Sequence, residues 1–160
     1  MRAIKVNNPQ WLPTIAPRIA EYVKAANVDG ILYENLYAYF AQSIQFGGSG
    51  SEFWAVFDSE DNPVAFAHWV ARGLPHSGKA YFDHIYKWSK AKRPVHMLID
   101  EFINFSKRMR CTVMDADLVN EKVFSVFEKH CADHGLEITR PEIIYITMRK
   151  KHEDIQEDSD

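Results

Sequence analysis

Residues 52–72 read EFWAVFDSEDNPVAFAHWVAR. Two runs rich in aromatic and β-branched residues, 52–58 and 64–72, flank the polar segment Ser59-Glu60-Asp61-Asn62-Pro63. Such runs favour strands, and the short turn-forming segment between them predicts a hairpin. Beyond a loop at Gly73–Gly78, KAYFDHIYKW (79–88) reads as a third strand of the same group.

Upstream, the period changes. MRAIKV (1–6) suits a short first strand, and Asn8-Pro9 is a helix start, a capping side chain followed by proline in the first turn. Leu12, Ile15, Ile19, Tyr22/Val23 and Ala26 recur at helical spacing until Asp29-Gly30. A second helix is predicted over 32–45, with Leu36, Tyr39/Phe40 and Ile44 on one face, ending at Gly47-Gly48-Ser49-Gly50. Downstream, Pro94 opens a helix whose apolar stripe is Val95, Leu98, Phe102, Phe105 and Met109. CTVMDA (111–116) reads as a strand. A helix over 120–134 turns Val123, Val126/Phe127 and Cys131 inward and stops at Gly135. LEITR (136–140) and EIIYITMRK (142–150) read as a terminal strand pair. The order β-α-α-β-β-β-α-β-α-β-β predicts an α/β (α+β) domain with a mixed sheet, partly antiparallel and partly parallel.

With 160 residues the chain suits one domain over 1–150, followed by a tail. Residues 151–160 hold one Lys and five acids, whereas the net charge is only −3. The folded part is thus near neutral, which argues against nucleic-acid binding driven by bulk charge. No apolar run reaches the roughly 18 residues of a bilayer span, and MRAIKVNNPQ lacks the apolar stretch of a signal peptide. Cys111 and Cys131 have no CxxC spacing and read as two reduced thiols. Together these point to a cytoplasmic protein. His130 and His134 share a helical face at a spacing that can hold a metal, but no third ligand is evident nearby in sequence, and no metal is expected. No nucleophilic triad, phosphate-loop or dinucleotide glycine fingerprint is present.

Three stretches carry a resemblance. Pro63-Val64-Ala65-Phe66-Ala67 is similar to a strand that often reads Val-Gly-Phe-Ala in the GNAT superfamily of acyl-CoA-dependent N-acetyltransferases. Asn120-Glu121-Lys122-Val123-Phe124-Ser125-Val126-Phe127-Glu128-Lys129 resembles that family's pattern of Asn before a helix and an aromatic-Glu-Lys seven residues later. Ile144–Lys150 resembles its last strand. The resemblance covers residues 50–150, and the two N-terminal helices by order. It implies a GNAT-like fold and acyl transfer from acetyl-CoA to a small-molecule or peptide amine.

In that family the CoA diphosphate meets a loop of the form Arg/Gln-x-x-Gly-x-Gly/Ala at a helix start, where backbone N–H groups and the helix dipole face the phosphates. Here Lys90-Ala91-Lys92-Arg93-Pro94-Val95 takes that place. Arg93 and Val95 stand where the glycines would be, and Pro94 removes one N–H. The cations Lys90, Lys92 and Arg93 are the expected substitutes for the glycine cradle. The resemblance assigns cofactor contacts to Ile85, Tyr86, Lys90, Lys92, Arg93, Val95, His96 and Asn120. It also implies two parallel strands, near Asp83–Tyr86 and Cys111–Asp115, that splay to receive the pantetheine arm.

Amine attack on a thioester needs a proton acceptor. His84, with Asp83 beside it, is the candidate base, and His68 on the neighbouring strand is a second imidazole. Phe127 stands where many relatives carry the Tyr that protonates the leaving thiolate, so Tyr145 is the candidate donor. The lost glycines and Phe127 favour an alternative, a GNAT-fold protein without catalysis. It would bind a protein partner or form a homo-oligomer through the aromatic helices bearing Trp11, Tyr33, Tyr37, Tyr39 and Phe40.

Overall fold

The computed structural model describes residues 1–26, 32–46, 48–72, 79–87, 93–111, 113–116 and 121–135. The terminal strand pair expected over 136–150 and the acidic tail lie outside these residues. Elements follow the expected order: β1 (Arg2–Val6), α1 (Leu12–Ala26), α2 (Tyr33–Phe46), β2 (Ser51–Phe57), β3 (Pro63–Arg72), β4 (Lys79–Lys87), α3 (Arg93–Arg108), β5 (Val113–Ala116) and α4 (Glu121–Asp133).

The strands form one sheet in the order β1-β2-β3-β4-β5. The first three pairings are antiparallel and β4–β5 is parallel, so the sheet is mixed as the sequence predicts. The β2–β3 hairpin is fixed by its own side chains. Asp58 Oδ1 accepts from the N–H groups of Glu60 and Asn62, each at 2.9 Å, and Asp61 takes φ of 60°, a left-handed geometry that Asp tolerates.

Both faces of the sheet are covered. Phe53, Ala55, Phe57 and Phe66 pack with Leu12, Ile15 and Ile19 of α1 and Leu36 and Phe40 of α2. On the other face Val56, Ala65, Ala67 and Trp69 pack with Val95, Leu98, Ile99, Phe102, Ile103 and Phe105 of α3, and with Phe127 of α4. Strand β3 is buried from Val64 to Trp69 because it lies in the middle of both layers. That is why its sequence is nearly continuous in apolar residues rather than alternating.

One boundary differs from expectation. The chain after Asn8 forms a 3₁₀ turn over Pro9–Trp11, and the α-helix starts at Leu12. Asn8 Oδ1 accepts from Gln10 N at 2.9 Å, as its capping role requires, but Trp11 N bonds Asn8 O at 3.1 Å in the tighter i→i+3 pattern. The end of α4 is built as read, whereas the stops expected at Asp29-Gly30 and Gly47 lie outside the described residues. Gly135 takes φ of 68° and its N–H bonds Ala132 O at 2.9 Å.

Candidate active site

Among the described residues strands β4 and β5 run in parallel register from Lys79↔Val113 to Phe82↔Ala116. Strand β4 continues, still bonded to β3, through His84↔His68, Ile85↔Ala67, Tyr86↔Phe66 and Lys87↔Ala65. Among the described residues the β5-side edge of 83–87 has no strand partner.

Strand β4 is irregular at its centre. Trp69 pairs with Phe82 and His68 with His84, so Asp83 is one extra residue on β4, a β-bulge. A bulge bends its strand and sharpens its twist. The bulge falls at the residue after Phe82, the last described residue of β4 paired with β5. Asp83 is thus the residue that breaks the alternation of β4. His84 and Tyr86 lie opposite His68 and Phe66, two positions on one face of β3.

His68 is fully buried. Its Nε2 lies 2.7 Å from Ser43 Oγ and 2.9 Å from Ser51 Oγ, and the edge of Tyr39 meets its ring at 5.1 Å. It ties α2 to the sheet. With its Nε2 already shared between two hydroxyls, it is a structural histidine more than a free proton acceptor.

Helix α3 begins at Arg93, one element beyond β4, and has no acidic residue in its first turn. Arg93 is exposed, whereas Pro94 and Val95 are buried against the core. The proline ring and the valine side chain are turned inward, so any part Val95 takes in phosphate binding falls to its backbone N–H. His96 is half-buried and its Nδ1 lies 3.2 Å from His130 Nδ1, which directs that nitrogen toward α4. A cation at a helix N-terminus opposes the helix dipole by about 0.3–1 kcal/mol, a cost that a bound anion reverses. Lys90, Lys92, Asn120 and Tyr145 lie outside the described residues.

Phe127 is 7% exposed and belongs to the α3-side core, as its apolar helical spacing predicts. Burial pushes the Cys111 and Cys131 thiols up, which disfavours the thiolates needed for a covalent relay. The aromatic face expected on the first helices is largely used within the chain. Phe40 is fully buried, while Tyr33, Tyr37 and Tyr39 pack against the α1–α2 core; Trp11 remains exposed and meets Phe57 edge-on.

Sequence reasoning missed the bulge at Asp83. A bulge is decided by the register of two strands, so the one signal within β4 is its lack of a clean apolar alternation. It also missed Glu52, which is 5% exposed and bonded by Lys5 Nζ at 2.7 Å, Trp54 Nε1 at 2.8 Å and Arg108 Nη2 at 3.0 Å. A lone acid amid strand hydrophobics was the available sign.

No family model and no curated protein matches the chain. Solved structures do. A ribosomal-protein-alanine N-acetyltransferase from Brucella melitensis biovar Abortus 2308 superposes with a TM-score of 0.68 at 15% identity, over 92% of this chain and 100% of that one. A predicted acetyltransferase from Clostridium acetobutylicum, solved with acetyl-CoA, gives 0.68 at 13% identity over 91% and 95%. Glucosamine-6-phosphate N-acetyltransferase from Arabidopsis thaliana gives 0.66 at 11% identity over 95% and 98%. Through its mixed sheet with a parallel β4–β5 pair and its helices on both faces, the chain carries the fold of the GNAT acetyltransferases.

Proposed function

We propose that the protein transfers an acetyl group from acetyl-CoA to the amine of a small-molecule or peptide acceptor. The observation that carries this reading is the fold: a mixed sheet with a parallel β4–β5 pair and a helix of basic start next after β4, which superposes on acetyltransferase structures over more than 90% of the chain. A pantetheine arm, with its two amides, would bond backbone groups of β4 beyond Phe82. The basic start of α3 adds the phosphate end. Arg93, with Lys90 and Lys92 ahead of it, and the N–H groups of Val95 and His96 would hold the diphosphate, with Asn120 on the cofactor side. The neighbours solved with acetyl-CoA or acting on a sugar phosphate and a ribosomal protein support the acetyl donor, and their acceptors differ from one another.

In this reading His84 takes the proton that the acceptor nitrogen loses as it bonds the thioester carbon, and Asp83 sits beside it at the bulge. The carbon–sulfur bond breaks, and Tyr145 protonates the leaving sulfur. Ile85 and Tyr86 supply backbone along the arm. No described helix is long and apolar enough to cross a membrane, and the two free thiols suit the reducing cytoplasm.

Calorimetry with CoA and acetyl-CoA, followed by thiol-release assays over a panel of amines, tests the proposal. Replacing Lys90, Lys92 and Arg93 together by Ala is expected to weaken CoA binding at least about tenfold, since each charge-assisted bond is worth about 1.5–3 kcal/mol. His84→Gln is expected to lower kcat about 100-fold or more while leaving CoA affinity within about twofold. Binding without turnover on any amine would favour the non-catalytic alternative, for which Phe127 in the general-acid position speaks. No binding at millimolar CoA would sink both.

A further inference from the structure

The two histidines at one helical turn's spacing on α4 meet a third group that the sequence places 30 residues away. Asp100 of α3 sets one carboxylate oxygen, Oδ1, 2.7 Å from His130 Nε2 and 3.2 Å from His134 Nε2. The three donor atoms lie within 4.8 Å of one another. Behind them, His96 of α3 closes the group, its Nδ1 3.2 Å from His130 Nδ1 and the two rings edge to face at 5.1 Å.

We propose that Asp100, His130 and His134 form a binding site for a zinc-type divalent transition-metal ion that clips α3 to α4. Two imidazoles and one carboxylate are a zinc donor set, and His at i and i+4 is the spacing that sends two rings to one ion. Bonds of about 2.0–2.2 Å at tetrahedral angles put donor atoms about 3.3 Å apart. The His134–Asp100 separation already matches, and the His130–Asp100 pair opens by about half an ångström, within the reach of a small side-chain rotation. The site is accessible from solvent: the side chains of His130, His134 and Asp100 are 13%, 35% and 46% exposed. An ion can enter, and a water molecule can fill the fourth position.

The orientation of His130 favours this assignment. When Nε2 binds a metal, Nδ1 must carry the proton and needs an acceptor. His96 Nδ1 lies where that acceptor belongs. His96 is thus a positioning residue, acting on the ion through His130. The ion would also bridge the second turn of α3, just after its basic N-terminus, to the last turn of α4.

The test uses the untagged full chain, stripped with chelator, and Zn²⁺ or Co²⁺ alone as the probe. Zn²⁺ at about 100 times Kd is expected to raise Tm by about 5 °C or more, and Co²⁺ is expected to show the intense visible absorption of a four-coordinate centre. His134→Ala, at an exposed position, and Asp100→Asn, a near-isosteric change at a half-buried one, are expected to fold and to lose both signals. His96→Gln, which touches no ion, is expected to weaken Zn²⁺ binding about 10- to 100-fold while keeping the Co²⁺ spectrum. An unchanged Tm with Zn²⁺ together with octahedral Co²⁺ absorption would overturn the site. So would a zinc response that survives in His134→Ala and Asp100→Asn. Neither outcome bears on acyl transfer, because the site does not depend on CoA.

Discussion

Glu52 is the most enclosed carboxylate among the described residues, and its charge has consequences for pH. Burial by itself raises its carboxyl; the bond from Lys5, then that from Trp54, and the charges of Lys5 and Arg108 outweigh that and bring it below the ordinary 4.5. A carboxyl lowered on folding stabilises the native state fully above its unfolded value. That contribution is lost as the pH falls from 4.5 through the lowered folded value. Glu52→Gln is therefore expected to cost about 1–3 kcal/mol at pH 7. Its cations stand half in water, which screens the pairs and keeps the cost toward the lower end. Urea unfolding at pH 7 and pH 3 checks this: the gap between the two proteins should narrow at acid pH, and a constant gap would show that packing, not charge, is what Glu52 supplies.

At the scale of elements, the end of α3 is closed by a Schellman arrangement. Cys111 N bonds Ser106 O at 2.9 Å and Arg110 N bonds Lys107 O at 3.1 Å, with Arg110 at φ of 55°. Glycine is the residue that takes this conformation without steric cost, as Gly135 does at the end of α4. Arg110→Gly is expected to stabilise the protein by about 0.5–1 kcal/mol, read as a rise in the urea midpoint at unchanged slope. A fall would mean that the Arg110 side chain holds more than its backbone costs. The same comparison shows how legible the elements were. Gly135 announced its helix end because its residue type matches its geometry. Arg110 did not, and the stripe of α3 was read from Val95 to Met109 without the second row, Ile99 and Ile103, that a helix pressed flat on a sheet also buries.

For the whole molecule, the sheet divides the interior into two cores that share β2 and β3 but use different helices. Ile19 of α1 and Ile99 of α3 are both fully buried, one in each. Ile19→Val and Ile99→Val are each expected to cost about 0.5–1.5 kcal/mol. With no shared partner the double variant should lose the sum within about 0.5 kcal/mol, in a single unfolding transition. Two separate transitions would show that the layers on either side of the sheet fold independently.

Residue types and their spacing determined the strand and helix order, the hairpin at Ser59–Pro63, the mixed sheet and the burial of Phe127, because each of these follows from local conformational preference and from a 2- or 3.6-residue apolar period. They also marked the basic start of α3, since charge is visible in sequence. Tertiary structure alone decided the bulge at Asp83, the register of β4 on β5, the burial of Glu52 and His68, and the meeting of Asp100 with His130 and His134. Each of these depends on the register of two strands or the docking of two helices. Which residues meet across such a contact is fixed by the balance of all the packing around it, and no periodicity within one segment carries that information.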